Sequence, residues 1–228
     1  MGDNMDIVVN NIKIHYEILG EGKPIILLNP NSVNTNSMNF IAHKLAKDFK
    51  VYNVDRRCCG KSERNCDLTY EESAKDIYEL IQKLNLDKPM ILGSSGGASV
   101  ALHLGINYPD CISKLVLCSG VARMEKIEMP KYAVIMNKLP WYPGKKNIVK
   151  FENLNNTAKE ITPEQLSKIT VPTLVINGGK KDIVPIEEAK YIADSISNSQ
   201  LLLLENEGHF SYLINCKCYD KLKDFLNK

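Results

Sequence analysis

The stretch Ile91-Leu92-Gly93-Ser94-Ser95-Gly96-Gly97-Ala98 connects an apolar run to a helical pattern. Within it, Gly93, Ser95 and Gly97 have the spacing Gly-x-Ser-x-Gly. Between a strand and a helix, this spacing predicts a nucleophile elbow, a sharp turn in which glycines remove Cβ clashes and the serine hydroxyl stands above the sheet. In a structural alternative, the two glycines only let a strand and a helix pack closely. Residues elsewhere in the chain decide between these interpretations.

The periodicity around this stretch predicts the fold. Short runs that are apolar at every position are typical of strands buried on both faces. Helical patterns lie between these runs, and an opening hairpin is expected to turn at Asn10-Asn11. The alternation predicts an α/β fold with a mostly parallel central sheet covered by helices on both faces. The apolar runs are residues 24–28, 51–54, 90–92, 115–117, 173–176 and 201–204.

Several helices carry recognisable end signals. Thr69-x-x-Glu72 is a capping box ahead of an apolar face that extends over residues 74–84. Pro185 is placed for the first turn of a helix that reaches about Ser195. Apolar residues within 222–226 predict the inner face of a final helix.

Length and composition indicate one large α/β domain. The chain has 228 residues, of which 44% are hydrophobic and 25% charged, and its formal net charge is +2. A nucleic-acid or membrane partner would favour a concentrated basic face, which this charge balance does not indicate. The longest apolar runs are also far too short to span a bilayer. We therefore expect neither a nucleic-acid nor a membrane partner.

The cysteines and the first residues favour a cytoplasmic protein. Residues 1–4 carry an early acid and no apolar run, unlike a secretory signal. Seven cysteines, an odd number, are typical of reduced thiols. Cys58-Cys59 and Cys216-x-Cys218 lack the two-residue gaps of common zinc sites, so no metal is expected.

One long stretch interrupts the alternation of strands and helices. Residues 121–170 are irregular, with prolines and an apolar cluster, and a connection of this length is uncommon in a compact domain. Its apolar content favours a small lid inserted into a core formed by residues 1–120 and 171–228. Met136, Trp141 and Tyr142 are candidates to line an apolar acyl pocket, and packing within the lid explains them equally well.

A serine hydroxyl needs a base that removes its proton, and His209 is the candidate. His15 lies in the predicted hairpin, and His43 and His103 lie inside helical patterns, which favours structural roles for these three. His209 follows the run at 201–204 and a short polar loop, at the carboxyl end of the last predicted strand. In an open parallel sheet such ends form the ligand crevice, and the elbow lies on the same edge.

Asp182 is the candidate for the acid that orients the histidine. It follows the run at 173–176 in a loop rich in glycine and lysine, again at the carboxyl end of a strand. A helix-capping aspartate is the structural alternative, because a helix is predicted to open at Pro185. The chain order Ser95, Asp182, His209 is the order serine, acid, histidine that accompanies an elbow of this kind.

Together these motifs resemble those of the α/β-hydrolase superfamily over nearly the whole chain. The elbow, Gly179-x-x-Asp182 and Gly208-His209 match, and residues 55–62 (Asp-Arg-Arg-Cys-Cys-Gly-Lys-Ser) resemble the Asp-x-Arg-Gly-x-Gly-x-Ser turn after the fourth strand of many members. The resemblance implies an oxyanion hole formed by the backbone N–H groups of Gly96 and Asn31. Asn-Pro precedes Asn31 in this chain where many members carry His-Gly.

The resulting hypothesis is a serine hydrolase that cleaves a small carboxylic ester, lactone or thioester through an acyl-enzyme and without a cofactor. The neighbouring Ser94 occupies a variable position of the motif and is expected to point away from the apex of the turn. The same triad also serves C–C bond hydrolases of β-diketone-like substrates and acyltransferases. A ligand-binding receptor that keeps the fold without turnover is a further alternative.

Overall fold

A β-sheet of eight strands forms the centre of the protein in a computed structural model that describes residues 2–124, 145–209 and 218–228. The strands are β1 (Asp3–Val9), β2 (Ile12–Leu19), β3 (Pro24–Leu28), β4 (Lys50–Asp55), β5 (Met90–Ser94), β6 (Lys114–Cys118), β7 (Thr173–Asn177) and β8 (Ser199–Leu203). Their order across the sheet is β1-β2-β4-β3-β5-β6-β7-β8. Six strands, from β4 to β8 in this order, run parallel, and β1 and β2 are antiparallel. The predicted mostly parallel α/β sheet is confirmed.

The opening hairpin turns at the predicted asparagine pair. Asn10 and Asn11 have φ values of 44° and 62°, which suit the tight turns whose twist matches two antiparallel strands. The hairpin joins the rest of the sheet because β2 pairs with β4 from His15↔Asp55 to Leu19↔Val51.

Helices cover both faces of the sheet, and buried apolar side chains form one cluster on each face. Because successive side chains of a strand point to opposite faces, Ile26 and Leu28 of β3 belong to one cluster while Ile25 and Leu27 belong to the other. The helices are α1 (Asn39–Leu45), α2 (Tyr70–Lys83), α3 (Gly96–Asn107), α4 (Lys145–Thr157), α5 (Pro163–Leu166), α6 (Ile186–Ser195) and α7 (Tyr219–Asn227). Residues of α2, α3 and α6 lie in the first cluster, and residues of α1 and α7 lie in the second.

The helix ends follow the predicted signals with two differences. Thr69 Oγ1 accepts a hydrogen bond from Glu72 N at 3.0 Å, but the Glu72 carboxylate accepts from Asn10 Nδ2 at 2.8 Å, so the capping box is formed by one side chain only. Helix α6 begins at Ile186, and Pro185 occupies the position before its first turn.

The expectation that residues 201–204 are buried on both faces is wrong. Strand β8 spans Ser199–Leu203 at the edge of the sheet, and Leu201 and Leu203 are each 36% exposed. An edge strand has a neighbour on one side only, so the layer of side chains that covers it is incomplete. Leu202 points to the other face and packs in the cluster that contains α7.

The described part of residues 121–170 contains α4 and α5. Phe151 and Leu154 of α4 and Leu166 of α5 are buried in the same cluster as α3. The division into a core and a lid stays a prediction, and Met136, Trp141 and Tyr142 lie outside the described residues. No helix in the described ranges combines the length and the apolar character that crossing a membrane requires.

The burial pattern predicts that two leucine-to-alanine substitutions lower the free energy of unfolding by different amounts. Leu27 is 0% exposed in a central strand, so Leu27→Ala is expected to lower the free energy of unfolding by about 2–5 kcal/mol. Leu203→Ala on the edge strand is expected to cost less than about 1 kcal/mol. Urea denaturation followed by circular dichroism measures both values, and equal losses would contradict the edge position of β8.

Candidate active site

Ser95 lies at a strained turn between β5 and α3. Strand β5 ends at Ser94 and helix α3 begins at Gly96, and Ser95 between them has φ 52° and ψ −121°. A residue with a Cβ rarely adopts a positive φ, so surrounding contacts must hold it there. Ser95 N donates to Cys118 O at 2.8 Å, and Ser95 O accepts from Ala98 N at 2.8 Å. The sharp turn predicted between strand and helix therefore forms at Ser95.

The glycines of the motif let three backbone segments approach each other. A Cβ on Gly93 would come within 2.4 Å of Gly97 O, and a Cβ on Gly97 would come within 2.1 Å of Leu28 O. Only glycine permits these distances, because both neighbouring atoms belong to backbone that cannot give way. The close packing of strand and helix is thus the means by which the turn is made, rather than an alternative to it.

His209 reaches Ser95 from the loop after β8. An isolated parallel bridge between Lys181 and Gly208 joins this loop to the one after β7. His209 is buried, and its Nε2 lies 2.9 Å from Ser95 Oγ while its Nδ1 lies 2.6 Å from Asp182 Oδ1. A carboxylate can only accept, so Nδ1–H donates to Asp182 and the Nε2 of a neutral ring accepts from the serine hydroxyl.

The Asp182 carboxylate is completely enclosed, with 0% of its side chain exposed. Oδ1 also accepts from Val184 N at 3.0 Å, and Oδ2 accepts from Gly178 N at 2.9 Å and from the Ser119 hydroxyl. Burial by itself raises the pKa of Asp182. The hydrogen bond from His209, the positive charge that His209 carries when protonated, and the bonds from Ser119 and Val184 hold that pKa below its usual value. The carboxylate is therefore ionised throughout the neutral range and can orient the imidazole.

Ser119 is a member of this site that the sequence interpretation missed. It follows β6 directly, adopts φ 46°, and its N donates to Ile176 O at 2.8 Å. This geometry turns its hydroxyl towards Asp182 from the neighbouring strand. Its place at the carboxyl end of β6, on the edge shared with Ser95, is the signal that could have found it.

The two residues predicted for the oxyanion hole lie side by side. Gly96 is the first residue of α3, whose opening N–H groups have no partner within the helix, and Asn31 follows β3. A Cβ on Gly96 would come within 1.9 Å of Asn31 Oδ1. The Asn31 amide is held at both ends, because Oδ1 accepts from Arg56 Nη2 at 3.0 Å and Nδ2 donates to the Tyr70 hydroxyl at 3.1 Å.

Hydrogen bonds from the turn at residues 55–62 hold the loop after β3 in place. Asp55 accepts from Thr35 N at 2.6 Å and from Lys61 N at 2.8 Å, which ties the loop after β3 to the turn after β4. Arg57 forms an ion pair with the buried Asp76 of α2 at 2.6 Å. Cys58 adopts φ 61° at the position where the related motif carries glycine.

His15 and His103 lie in structural surroundings, and His43 is exposed on helix α1. His15 Nδ1 is 2.7 Å from Asp6 Oδ1 in the opening hairpin, and the His103 ring stacks on Tyr70 with ring centroids 6.1 Å apart. Across the described ranges, no group of three or more His, Cys, Asp or Glu side chains is arranged to hold a metal ion.

A comparison with protein families gives this arrangement its context. The model of the family described as the alpha/beta hydrolase fold matches residues 23–145, which is more than half of the chain. This chain belongs to the α/β-hydrolase family. The match includes the elbow and the turn at residues 55–62.

Other α/β-hydrolases resemble the chain over most of its length. It is 26% identical over 251 residues to "Serine hydrolase BPHL" of Homo sapiens, with 96% of this chain and 85% of that protein covered. It is 24% identical over 265 residues to the 2-hydroxy-6-oxononadienedioate/2-hydroxy-6-oxononatrienedioate hydrolase 1 of Pseudomonas putida, with 95% and 92% covered. The solved enol-lactonase from Burkholderia xenovorans LB400 has a TM-score of 0.79 at 20% identity, over 98% of this chain and 100% of that one. The chain is an enzyme of the hydrolase class.

The bond from Ser119 to Asp182 predicts an effect on the reactivity of Ser95. Ser119→Ala removes one of the donors to the carboxylate, and a bond to an ionised group contributes about 1.5–3 kcal/mol. We expect the rate at which a fluorophosphonate labels Ser95 to fall about tenfold, because two backbone donors still hold Asp182. Mass spectrometry of the labelled peptide over time measures this rate.

Ser94→Ala is the matched control for this variant. Ser94 Oγ is buried and has no hydrogen-bond partner among the described residues, so its removal is expected to leave the labelling rate unchanged. A Ser119→Ala protein that is labelled as fast as the Ser94→Ala protein would contradict the role of Ser119 in orienting Asp182.

Proposed function

We propose that this α/β-hydrolase cleaves a small carboxylic ester, lactone or thioester through an acyl-enzyme on Ser95. The observation that carries the proposal is the continuous hydrogen-bonded series Ser95–His209–Asp182, with distances of 2.9 Å and 2.6 Å. Each member has the partner that its chemical role requires, and the acid at the end is fully enclosed.

Attack begins when His209 Nε2 takes the proton of Ser95 Oγ as the oxygen adds to the substrate carbonyl. Asp182 keeps its negative charge and stabilises the imidazolium that forms. Because hydrogen bonds and the His209 charge lower the pKa of Asp182, the carboxylate stays ionised and does not take the proton itself. His209 then gives its proton to the departing alcohol, thiol or lactone oxygen.

The oxygen of the tetrahedral intermediate would be held by the N–H groups of Gly96 and Asn31. Gly96 opens helix α3, so the positive end of the helix dipole adds to the attraction. Donors that are already in place at this oxygen contribute strongly to rate, and the loss of one such donor typically costs about 10²–10³ in turnover. Water activated by His209 then cleaves the acyl-enzyme in the reverse sequence of proton transfers.

The acyl pocket is assigned to the predicted lid at residues 121–170. Met136, Trp141 and Tyr142 are its proposed apolar lining, and they lie outside the described residues. Helix α4 carries Asn155 to the Tyr70 hydroxyl at 3.0 Å, so the described end of this stretch lies beside the proposed oxyanion hole. The mechanism needs no cofactor, and we propose that it operates in the cytoplasm.

The relatives support acyl chemistry without choosing the bond. One carries the name of an enol-lactonase and another the name of a serine hydrolase. The same triad also serves C–C bond hydrolysis and acyl transfer, and a receptor could keep it without turnover. An assay that offers the protein both esters and a β-diketone distinguishes ester hydrolysis from hydrolysis of a C–C bond.

Hydrolysis of p-nitrophenyl acetate, butyrate and octanoate by wild type and three variants tests the proposal. Ser95→Ala, His209→Ala and Asp182→Asn are each expected to lower kcat about 10⁴-fold or more, because triad members act as one unit. The release of p-nitrophenol measures turnover, and the preferred chain length measures the depth of the acyl pocket.

His15→Ala is the matched control, since His15 is a buried histidine whose Nδ1 lies 2.7 Å from Asp6 Oδ1 in the opening hairpin, outside the triad. It is expected to keep kcat within about threefold of wild type. Wild-type turnover no faster than that of Ser95→Ala would refute the ester hypothesis. Turnover of a β-diketone such as benzoylacetone in that case would instead identify a C–C bond hydrolase.

A further inference from the structure

Arg56 is a buried cation without an acidic partner in the described residues. Its side chain is 1% exposed, and its Nε donates to Asn29 O at 2.8 Å and to Asn29 Oδ1 at 3.2 Å. Its Nη2 donates to Asn31 Oδ1, and its Nη1 has no partner within the described ranges. The carboxylate oxygens of the preceding Asp55 accept instead from Thr35 N and Lys61 N.

The neighbouring arginine shows the arrangement that a structural role would favour. Arg57 is also buried, and two of its nitrogens donate to the Asp76 carboxylate at 2.6 Å each. A buried charge is costly unless it is paired, because burial removes its hydration. Arg57 meets this requirement and Arg56 does not, so the position of Arg56 calls for a functional explanation.

The contacts of Arg56 determine how the Asn31 amide is oriented. A guanidinium has only donors, so the oxygen of the amide must face Arg56 and the nitrogen must face Tyr70. The Tyr70 hydroxyl accepts from Asn31 Nδ2 at 3.1 Å and donates to Asn155 Oδ1 at 3.0 Å. Four side chains therefore form a series in which each donates a hydrogen bond to the next, in the order Arg56, Asn31, Tyr70, Asn155. Each bond in such a series strengthens the next.

The oriented oxygen lies against the proposed oxyanion hole. A Cβ on Gly96 would come within 1.9 Å of Asn31 Oδ1, so this oxygen contacts the glycine that follows the nucleophile. An amide oxygen that was not otherwise bonded could accept the Gly96 N–H and would repel a developing oxyanion. Arg56 Nη2 donates a hydrogen bond to this oxygen, so the oxygen already has a donor. The positive charge of Arg56 therefore lies next to the Asn31 amide and is separated from Gly96 by that side chain.

We propose that Arg56 is a positioning residue of the oxyanion hole, which holds the Asn31 amide oxygen away from the Gly96 N–H and adds a buried positive charge behind it. This inference rests on the proposed acyl chemistry at Ser95. Charge at this place acts on the tetrahedral intermediate more strongly than on the neutral substrate, since only the intermediate is anionic. Arg56 is 1% exposed and acts through the Asn31 side chain.

The test compares Arg56→Met and Arg56→Lys with wild type on p-nitrophenyl acetate. Arg56→Met is expected to lower kcat about 10- to 100-fold with KM within about twofold, because it weakens binding of the transition state alone. Arg56→Lys keeps the charge without the planar fork and is expected to recover part of the loss. Circular dichroism and thermal melting establish that each variant is folded.

A trifluoromethyl ketone supplies a second measurement, because its adduct with Ser95 carries an oxyanion. Its Kd, measured by isothermal titration calorimetry, is expected to rise in Arg56→Met by a factor similar to the fall in kcat. Arg57→Lys is the matched control, a buried arginine one residue away, and is expected to melt at a lower temperature with an unchanged Kd.

The outcomes separate this inference from the function on which it rests. Wild type that neither hydrolyses the ester nor binds the ketone overturns both. Wild type that binds the ketone, with an Arg56→Met protein that is folded and binds it equally well, overturns the role of Arg56 alone. A Kd that rises as much in Arg57→Lys as in Arg56→Met also overturns it, because the effect would then belong to any buried arginine of this turn.

Discussion

The close approach of helix α3 to the ends of β3 and β5 is the constraint on which the site depends. Gly97 lies so near Leu28 O, and Gly93 so near Gly97 O, that no other residue fits at either position. This approach forces Ser95 into its left-handed conformation and brings Gly96 against Asn31. Ser95, the start of α3 and the end of β3 are therefore fixed relative to one another by backbone contacts, and the Asn31 side chain packs against Gly96.

The parallel sheet brings the remaining groups to the same edge. Each of its six parallel strands is followed by one residue of the site or of its support, and these residues are Asn31, Arg56, Ser95, Ser119, Asp182 and His209. None of them is held by its own strand alone. Ser95 N donates to Cys118 O of the neighbouring strand, and Ser119 N donates to Ile176 O of the next. The register of the sheet thus contributes to the distances between these residues.

The sequence allows the fold and the grouping of Ser95, Asp182 and His209 to be predicted because their signals are local. Gly93-x-Ser95-x-Gly97 and the runs of apolar residues can be read within a few positions, and the parallel order of strands then places Asp182 and His209 on the same edge. Ser119 follows β6 on that edge, but no local motif marks its contact with Asp182 or that of Arg56 with Asn31, since these partners lie 63 and 25 positions away in the chain. The prediction that residues 201–204 are buried on both faces was wrong for a related reason. An apolar run records its composition, while its exposure depends on whether a strand follows it in the sheet.

The series of donors from Arg56 to Asn155 has a consequence for how this enzyme can change over evolution. Helix α4 belongs to the stretch between β6 and β7, where hydrolases of one fold are free to differ without disturbing the sheet. In this chain that stretch is attached at Asn155 to Tyr70, and through Asn31 to Gly96, the residue after Ser95. Under the proposed function, substrate selectivity and catalytic rate are therefore coupled in this chain. A change of α4 that suits a new substrate must keep an acceptor for the Tyr70 hydroxyl or alter the reaction centre as well.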